Sequence, residues 1–412
     1  LTAAAQTSDA RLRRDWALFT ALTFLFSFGF AVYSGPFQNF LRDALGAHEL
    51  DLGKLESFRE IPGLLTALTA GTLIAFAETR IAAFGLAVAG VGIGITGYCR
   101  SFPPLIAVTV FWSVGFHLWT TMSTAITLTL AKGREGGRHL GRMGGVGAIA
   151  GIAGLGAVYG MSKLWPQHYS LYFLVGGASI LAAGVCGTLI SSNAHGGARQ
   201  RIVFRREYGL FYLLTFLEGC RRQIFSIFAS FALILVYHIS VQEMLLIQFV
   251  NALMIAATAP AIGKVVDRVG ERGPLSFYAV GLIIVFLGYA TMQTAGALIA
   301  LFLIDNILFS FGVGFNTYLH RIVRPNELTP CLAMGVTMNH VAAVTVPIGG
   351  ALLWQRSGNY QLPFWVGTGI AAVSLIATRW LPHGAAPSQD AADDSKIVMG
   401  ALEDDRAGTA SL

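Results

Sequence analysis

The sequence predicts an all-α membrane protein with twelve transmembrane helices, and three observations carry that expectation. Only 12% of the 412 residues are charged, while 54% are hydrophobic. Soluble domains carry about 25% charge, so this chain lacks the polar groups to cover a water-facing surface. Apolar stretches of about 20 residues, the length a helix needs to cross a hydrocarbon core of about 30 Å, recur twelve times. Lys and Arg gather in every second connection, the pattern of loops that stay in the cytoplasm.

The stretches lie near residues 16–41, 53–77, 81–99, 103–130, 140–163 and 169–190, and then near 208–236, 242–263, 274–293, 296–319, 330–354 and 361–381. A polar connection, 191–207, parts the two sets. The expected organisation is a short segment 1–15, a six-helix bundle 16–190, the central loop 191–207, a second six-helix bundle 208–381 and a tail 382–412. The tail carries Asp390, Asp393, Asp394, Glu403, Asp404 and Asp405 without an aromatic residue, a composition that predicts disorder.

An even span count places both termini on one side, and the cations select it. Arg11, Arg13 and Arg14 precede the first span. Arg80; Lys132, Arg134, Arg138 and Arg142; Arg199, Arg201, Arg205 and Arg206; Lys264, Arg268 and Arg272; and Arg321 and Arg324 follow the even-numbered ones or begin the next. The opposite side holds Arg42, Lys54, Arg100, Lys163 and Arg356. Both termini and the central loop are therefore expected in the cytoplasm, with the chain in the cell membrane. The halves also echo one another at an offset of about 192 residues: Gly97, Tyr98, Leu105, Ile106 and Ala107 resemble Gly288, Tyr289, Leu298, Ile299 and Ala300. Six-plus-six repeats are a common plan for secondary transporters, with substrate at the interface.

Several function classes drop out. The net charge of +6 follows membrane topology and does not form a nucleic-acid face. Cys99, Cys186, Cys220 and Cys331 lack metal-ligand spacing, and no cleavable leader is expected. No nucleophile motif, H-E-x-x-H pair or nucleotide loop is present in the sequence. An enzyme is not expected, and no cofactor is implied.

Between the eighth and ninth spans the chain reads Gly263, Lys264, Val265, Val266, Asp267, Arg268, Val269, Gly270, Glu271, Arg272. This resembles the G-x-x-x-D-R-x-G-x-R signature of the major facilitator superfamily, and with the span plan the resemblance covers roughly residues 15–382. It implies a transporter in which Gly263, Asp267, Arg268, Gly270 and Arg272 act as a cytoplasmic gate latch. The first-half copy is degenerate: counting from Gly71, the aspartate position holds Ala75 and the last arginine is Arg80, with Glu78 nearby. The fifth span is rich in glycine, from Gly144 to Gly160, and reads as a close-packing face.

Ionisable side chains inside a span are costly and usually face a cavity. Glu218, Arg221 and Arg222 stand in the seventh span, with Glu218 about 15 Å in at 1.5 Å per residue. Spacings of three and four let Glu218 pair with either arginine. Asp305, beside Asn306 in the tenth span, is the expected counter-charge for the surplus cation. The resemblance implies that spans one, four, seven and ten line the cavity. Tyr33, His117, Asn339 and His340 complete the candidate site. Glu56, Arg59 and Glu60 open the second span, at the outer mouth or a turn or two inside. By the repeat offset Glu218 corresponds to Phe26, Arg222 to Phe30 and Asp305 to Ser113. That predicts an aromatic and hydroxyl wall (Phe26, Phe30, Tyr33, Trp119, Thr120) facing a charged one.

The leading expectation is a monomeric secondary transporter of a small organic anion, coupled to protons through Glu218, Asp305 or His340. An exporter of drugs or metabolites is a second reading. A divalent-metal transporter using Asp305, His340 and Asn339 is a third. A membrane sensor or scaffold on a transporter fold is a reading of another class. Arg221 and Arg222 read either as an anion site or as a structural network.

Overall fold

A computed structural model describes residues 3–69, 77–131, 136–191, 204–324 and 327–383. The degenerate motif from Gly71 to Ala75, residues 192–203 of the central loop, the loop cations Lys132, Arg134, Arg199 and Arg201, and the tail from 384 lie outside them.

Among the described residues twelve helical elements follow in order, as the apolar pattern predicts. They are α1 Ala3–Leu45, α2 Glu49–Thr69, α3 Glu78–Thr96, α4 Phe102–Leu130, α5 Gly136–Leu164 and α6 Tyr169–Leu189. Next comes α7, which runs Gly209–Gln223, passes through a π-helical turn Ile224–Ala229 and ends as Ser230–Leu235. Then come α8 Val241–Val269, α9 Arg272–Thr291 and α10, which runs Ala295–Phe309, tightens at Ser310–Gly312 and continues Val313–Ile322. The last two are α11 Leu328–Ser357 and α12 Leu362–Ala377.

Local chemistry sets several ends. Pro103 and Pro104 sit in the first turn of α4, and Pro363 in that of α12, where a missing N–H costs nothing. Ser240 and Glu243 form a reciprocal capping box at the start of α8. Gly270, with φ +83°, and Gly358, with φ +66°, end α8 and α11 in backbone conformations that favour glycine.

Ten of these helices are long and apolar enough to cross a membrane. The other two, α2 and α7, carry the ionisable clusters Glu56, Arg59, Glu60 and Glu218, Arg221, Arg222.

Packing repeats along the chain. Within the first six helices α3 packs on α4 and α6, α1 on α5 and α6, and α2 on α4. Each pair recurs six helices later: α9 on α10 and α12, α7 on α11 and α12, α8 on α10. The first six meet the last six through α2 on α11 and α5 on α8. Hydrogen bonds tie the two sets at one end. Asn39 donates to the Ile239 carbonyl at 3.1 Å, and Arg42 to those of Ile234 at 2.8 Å and Ile239 at 3.1 Å. Gln242 donates to the Ser162 carbonyl at 3.0 Å.

The glycines of α5 do not form the continuous packing face expected of them. A Cβ on Gly154 would meet the Phe28 carbonyl, but Gly144, Gly145, Gly151 and Gly160 have open space there. Glycine meets glycine instead among α1, α3, α4 and α6, where Gly85 faces Gly115 and Gly29 faces Gly176.

At the opposite end, outside the spans, Glu327 accepts from the Tyr208 hydroxyl at 2.7 Å and from Arg205 at 2.5 Å. The Tyr208 hydrogen bond first, and then Arg205, hold the Glu327 carboxyl below the ordinary carboxylate range. A depressed folded-state value gives stability that is complete above the unfolded value of about 4.3. That stability is lost as pH falls through the folded value. Glu327→Gln is therefore expected to lower the melting temperature at neutral pH, with the two melting curves converging in acid. A gap that persists at low pH would exclude this linkage.

Candidate substrate cavity

Helices α1, α2, α4, α7, α8, α10 and α11 line an open cavity of about 1460 Å³. Seven of the nine candidate residues line it: Tyr33, His117, Glu218, Arg222, Asn306, Asn339 and His340. The π-helical turn of α7 contributes Phe225, Ser226 and Ile227 directly after Arg222.

Arg221 and Asp305 are not on the wall, which corrects their expected place. Both side chains are buried behind it, in a network with Glu218. Arg221 Nη2 lies 2.7 Å from Glu218 Oε1, and Nη1 lies 3.1 Å from Asp305 Oδ2. The Tyr278 hydroxyl donates to Glu218 Oε2 at 2.7 Å. Arg221 also stacks over Tyr278 and Phe309. One guanidinium thus satisfies two carboxylates, the fork geometry for which arginine is suited. The metal-ligand set of Asp305, His340 and Asn339 is not assembled, because Asp305 points into this network.

Arg222 is placed differently. It lines the cavity, lies over the Phe309 ring at 5.3 Å, and has no ion-pair partner within 4.0 Å among the described residues. Asp305, expected to neutralise the surplus cation, neutralises Arg221 instead.

The facing wall is aromatic. Phe30 stacks on Phe116 at 5.0 Å between ring centres, and Tyr33 meets Trp112 edge-on at 5.4 Å. Phe30, Tyr33, Phe116 and Thr120 reach the cavity. Phe26 and Trp119 pack behind them, 5.4 Å apart.

The cluster left between mouth and interior turns out to be part of the wall. Glu56, Arg59 and Glu60 all line the cavity. Because α2 begins at Glu49, four residues before the apolar stretch, Glu60 lies about three turns into the helix. Arg59 Nη2 pairs with Glu56 Oε2 and Glu60 Oε1, each at 2.8 Å. The other oxygen of Glu60 faces His340 Nδ1 at 3.1 Å and His117 Nε2 at 3.8 Å. The local signal was the E-x-x-R-E spacing, which puts Glu56 and Arg59 one turn apart on one helix face. The meeting of His117 with His340 has no local signal, since α4 and α11 lie far apart in sequence.

The gate motif is spread out in this conformation. Gly263 reaches the cavity wall, Gly270 ends α8, and Asp267 and Arg268 are exposed. Arg272 meets the imidazole of His383, with Nη1 2.9 Å from Nδ1, so its partner is in the second half and not across the interface. The buried acid of the loop is Glu271, which pairs with Arg321 at 3.2 Å. In the first-half counterpart, Glu78 accepts from Thr129 and Arg80 donates to the Thr188 carbonyl.

Comparison with known proteins gives this geometry its family. No curated protein sequence matches significantly. Among solved structures, the nucleoside transporter NupG is similar at 13% identity, over 89% of this chain and 98% of that one, with a TM-score of 0.71. A D-xylose–proton symporter is similar at 14% identity, over 90% and 98%, with a TM-score of 0.70. A bacterial homologue of the iron transporter ferroportin, in an inward-facing state, is similar at 14%, over 89% and 98%, also at 0.70. At such identities the likeness is one of fold. The family model for the Major Facilitator Superfamily matches residues 19–329 and 211–403. The chain thus belongs to the Major Facilitator Superfamily and is a multi-pass membrane transporter, not an enzyme.

Proposed function

We propose that the protein carries a small organic anion through the cell membrane by proton-coupled alternating access. On this reading α1–α6 and α7–α12 are two six-helix bundles that rock about the cavity, the termini are cytoplasmic, and the chain works as a monomer. The recurrence of every helix pair six helices later supports the two-bundle reading.

The observation that carries the anion is Arg222. A guanidinium at a cavity wall, without a carboxylate within ion-pair distance and with the Phe309 ring beneath it, is costly unless a ligand shares its charge. The aromatic wall of Phe30 and Phe116 suits the apolar part of such a ligand. The cavity and its network hold four carboxylates (Glu56, Glu60, Glu218, Asp305) and three guanidiniums (Arg59, Arg221, Arg222). One negative charge remains with both histidines neutral. An entering anion would double that excess, and a proton taken up with it cancels the increase. Glu218 is placed to take that proton, because its carboxylate both lines the cavity and belongs to the Arg221 network.

The test uses proteoliposomes under an inward proton gradient, screened against small carboxylates. Arg222→Ala is expected to abolish accumulation while the protein still elutes as a folded species. Arg222→Lys is expected to restore part of it, because an ammonium keeps the charge but loses the fork. Unchanged uptake in Arg222→Ala removes the anion assignment. Uptake that ignores the proton gradient removes the coupling.

A further inference from the structure

The cluster formed by Glu60, His117 and His340 is given no part in holding the anion or moving the proton, and its three side chains converge on one point of the cavity wall. The three candidate donor atoms lie within 4.8 Å of one another. His117 Nδ1 is 2.8 Å from the Ser113 carbonyl oxygen. A carbonyl only accepts, so Nδ1 carries a hydrogen, and in the neutral form of that tautomer Nε2 presents a lone pair. That nitrogen is 3.8 Å from Glu60 Oε2, a separation that either a proton on Nε2 or a cation between the two atoms makes attractive. His340 Nδ1 faces the same oxygen at 3.1 Å.

We propose that Glu60, His117 and His340 form a binding site for a divalent first-row transition-metal ion, such as zinc or cobalt, in the central cavity. A tetrahedral ion with ligand bonds of about 2.0–2.1 Å needs donor atoms about 3.3 Å apart. The two glutamate–histidine separations, 3.1 and 3.8 Å, bracket that value. The third separation, between the two imidazoles, is within 4.8 Å. Two imidazoles and one carboxylate, with a water as fourth ligand, are a donor set that suits zinc, cobalt or iron.

The surroundings are those of a supported site. The hydrogen bond from Nδ1 to a backbone carbonyl fixes the tautomer of His117, as an outer partner does for a ligating histidine. Arg59 holds the other oxygen of Glu60 at 2.8 Å, leaving Oε2 for the ion. Gly63, one turn beyond Glu60, supplies the room: a Cβ there would fall closer than 3.0 Å to both imidazoles. Glu56 and Glu60 share the single guanidinium of Arg59, and the negative charge left at this cluster favours a cation. Glu60 and His117 come from α2 and α4 and His340 from α11, so a bound ion joins the first six helices to the last six.

The proposal stands independently of the anion reading and is tested on full-length, tag-free, chelator-treated protein in detergent. Calorimetry with Zn²⁺ is expected to show one ion per chain, and Co²⁺ to give the visible absorption of a low-coordinate N/O site. Glu60→Gln and His340→Gln are each expected to weaken Zn²⁺ binding at least tenfold. Joint replacement of the exposed His48, His168 and His238 by Gln should leave it unchanged. Wild-type protein that binds no Zn²⁺ stoichiometrically, or full binding in the cavity variants, overturns the site. If the variants fold poorly, X-ray absorption of the Zn²⁺-loaded wild type decides: two imidazoles in the shell support the site, and any other count overturns it.

Discussion

Arg221→Ala is expected to destabilise the protein by about 3–5 kcal/mol, the cost of leaving buried charge without its partner. The Arg221 side chain is 2% exposed, and those of Asp305 and Glu218 are 4% and 10% exposed. Its removal leaves two carboxylates facing each other across the vacated space. Glu218 retains the Tyr278 hydroxyl as a donor, but Asp305 has no other hydrogen-bond donor among the described residues. Arg221→Lys should recover little, since one ammonium cannot fork to carboxylates on α7 and α10. The triple variant Arg221→Met, Glu218→Gln, Asp305→Asn should recover most of the loss, because it removes the charges together. Thermal unfolding in detergent measures all three. An Arg221→Ala protein that melts like the wild type would mean that the network contributes nothing. The contrast with Arg222→Ala is informative: the first should chiefly lower stability and the second chiefly stop transport.

That division between neighbours was present in the sequence, though only through the internal repeat. Composition and span length gave twelve helices, because a bilayer leaves the chain few alternatives. They did not give which face of α7 meets the cavity, since consecutive residues on a helix differ by about 100°. The offset of about 192 residues does better, although Glu218 lines the cavity and its counterpart Phe26 packs behind the wall. Arg222 corresponds to Phe30, and both line the cavity, while Asp305 corresponds to Ser113, and both are buried away from it. Arg221 corresponds to Gly29, whose Cβ position is filled by the backbone of Gly176, so this face of α1 is a packing face as well. Glu60 escaped because α2 starts before its apolar stretch, so a count from the hydrophobic edge underestimates its depth. The pairing of His117 with His340 depends on α2, α4 and α11 meeting, and no local pattern encodes that.

The glycines make the same point energetically, and they lead to the second large effect. Gly115→Ala in α4 is expected to destabilise the protein by about 1–3 kcal/mol, the usual cost of forcing atoms into a filled interior. The new Cβ would lie closer than 3.0 Å to the carbonyl oxygen of Gly85 and the backbone nitrogen of Ala89 in α3. A Cβ on Gly85 would in turn fall 2.8 Å from the Gly115 carbonyl oxygen, less severe but still closer than 3.0 Å. The obstacle is backbone on both sides, so no side chain can rotate aside, and the helices must separate along a contact that small residues exist to permit. Gly151→Ala in α5 is the control. It meets nothing within 4 Å, so the gain of about 0.5–1 kcal/mol from replacing glycine within a helix is unopposed. Measured side by side, Gly115→Ala should melt below the wild type and Gly151→Ala at or above it. The reverse order would mean that α3 and α4 do not cross as closely as described, and that the glycine-rich stretch of α5 is the packing face after all.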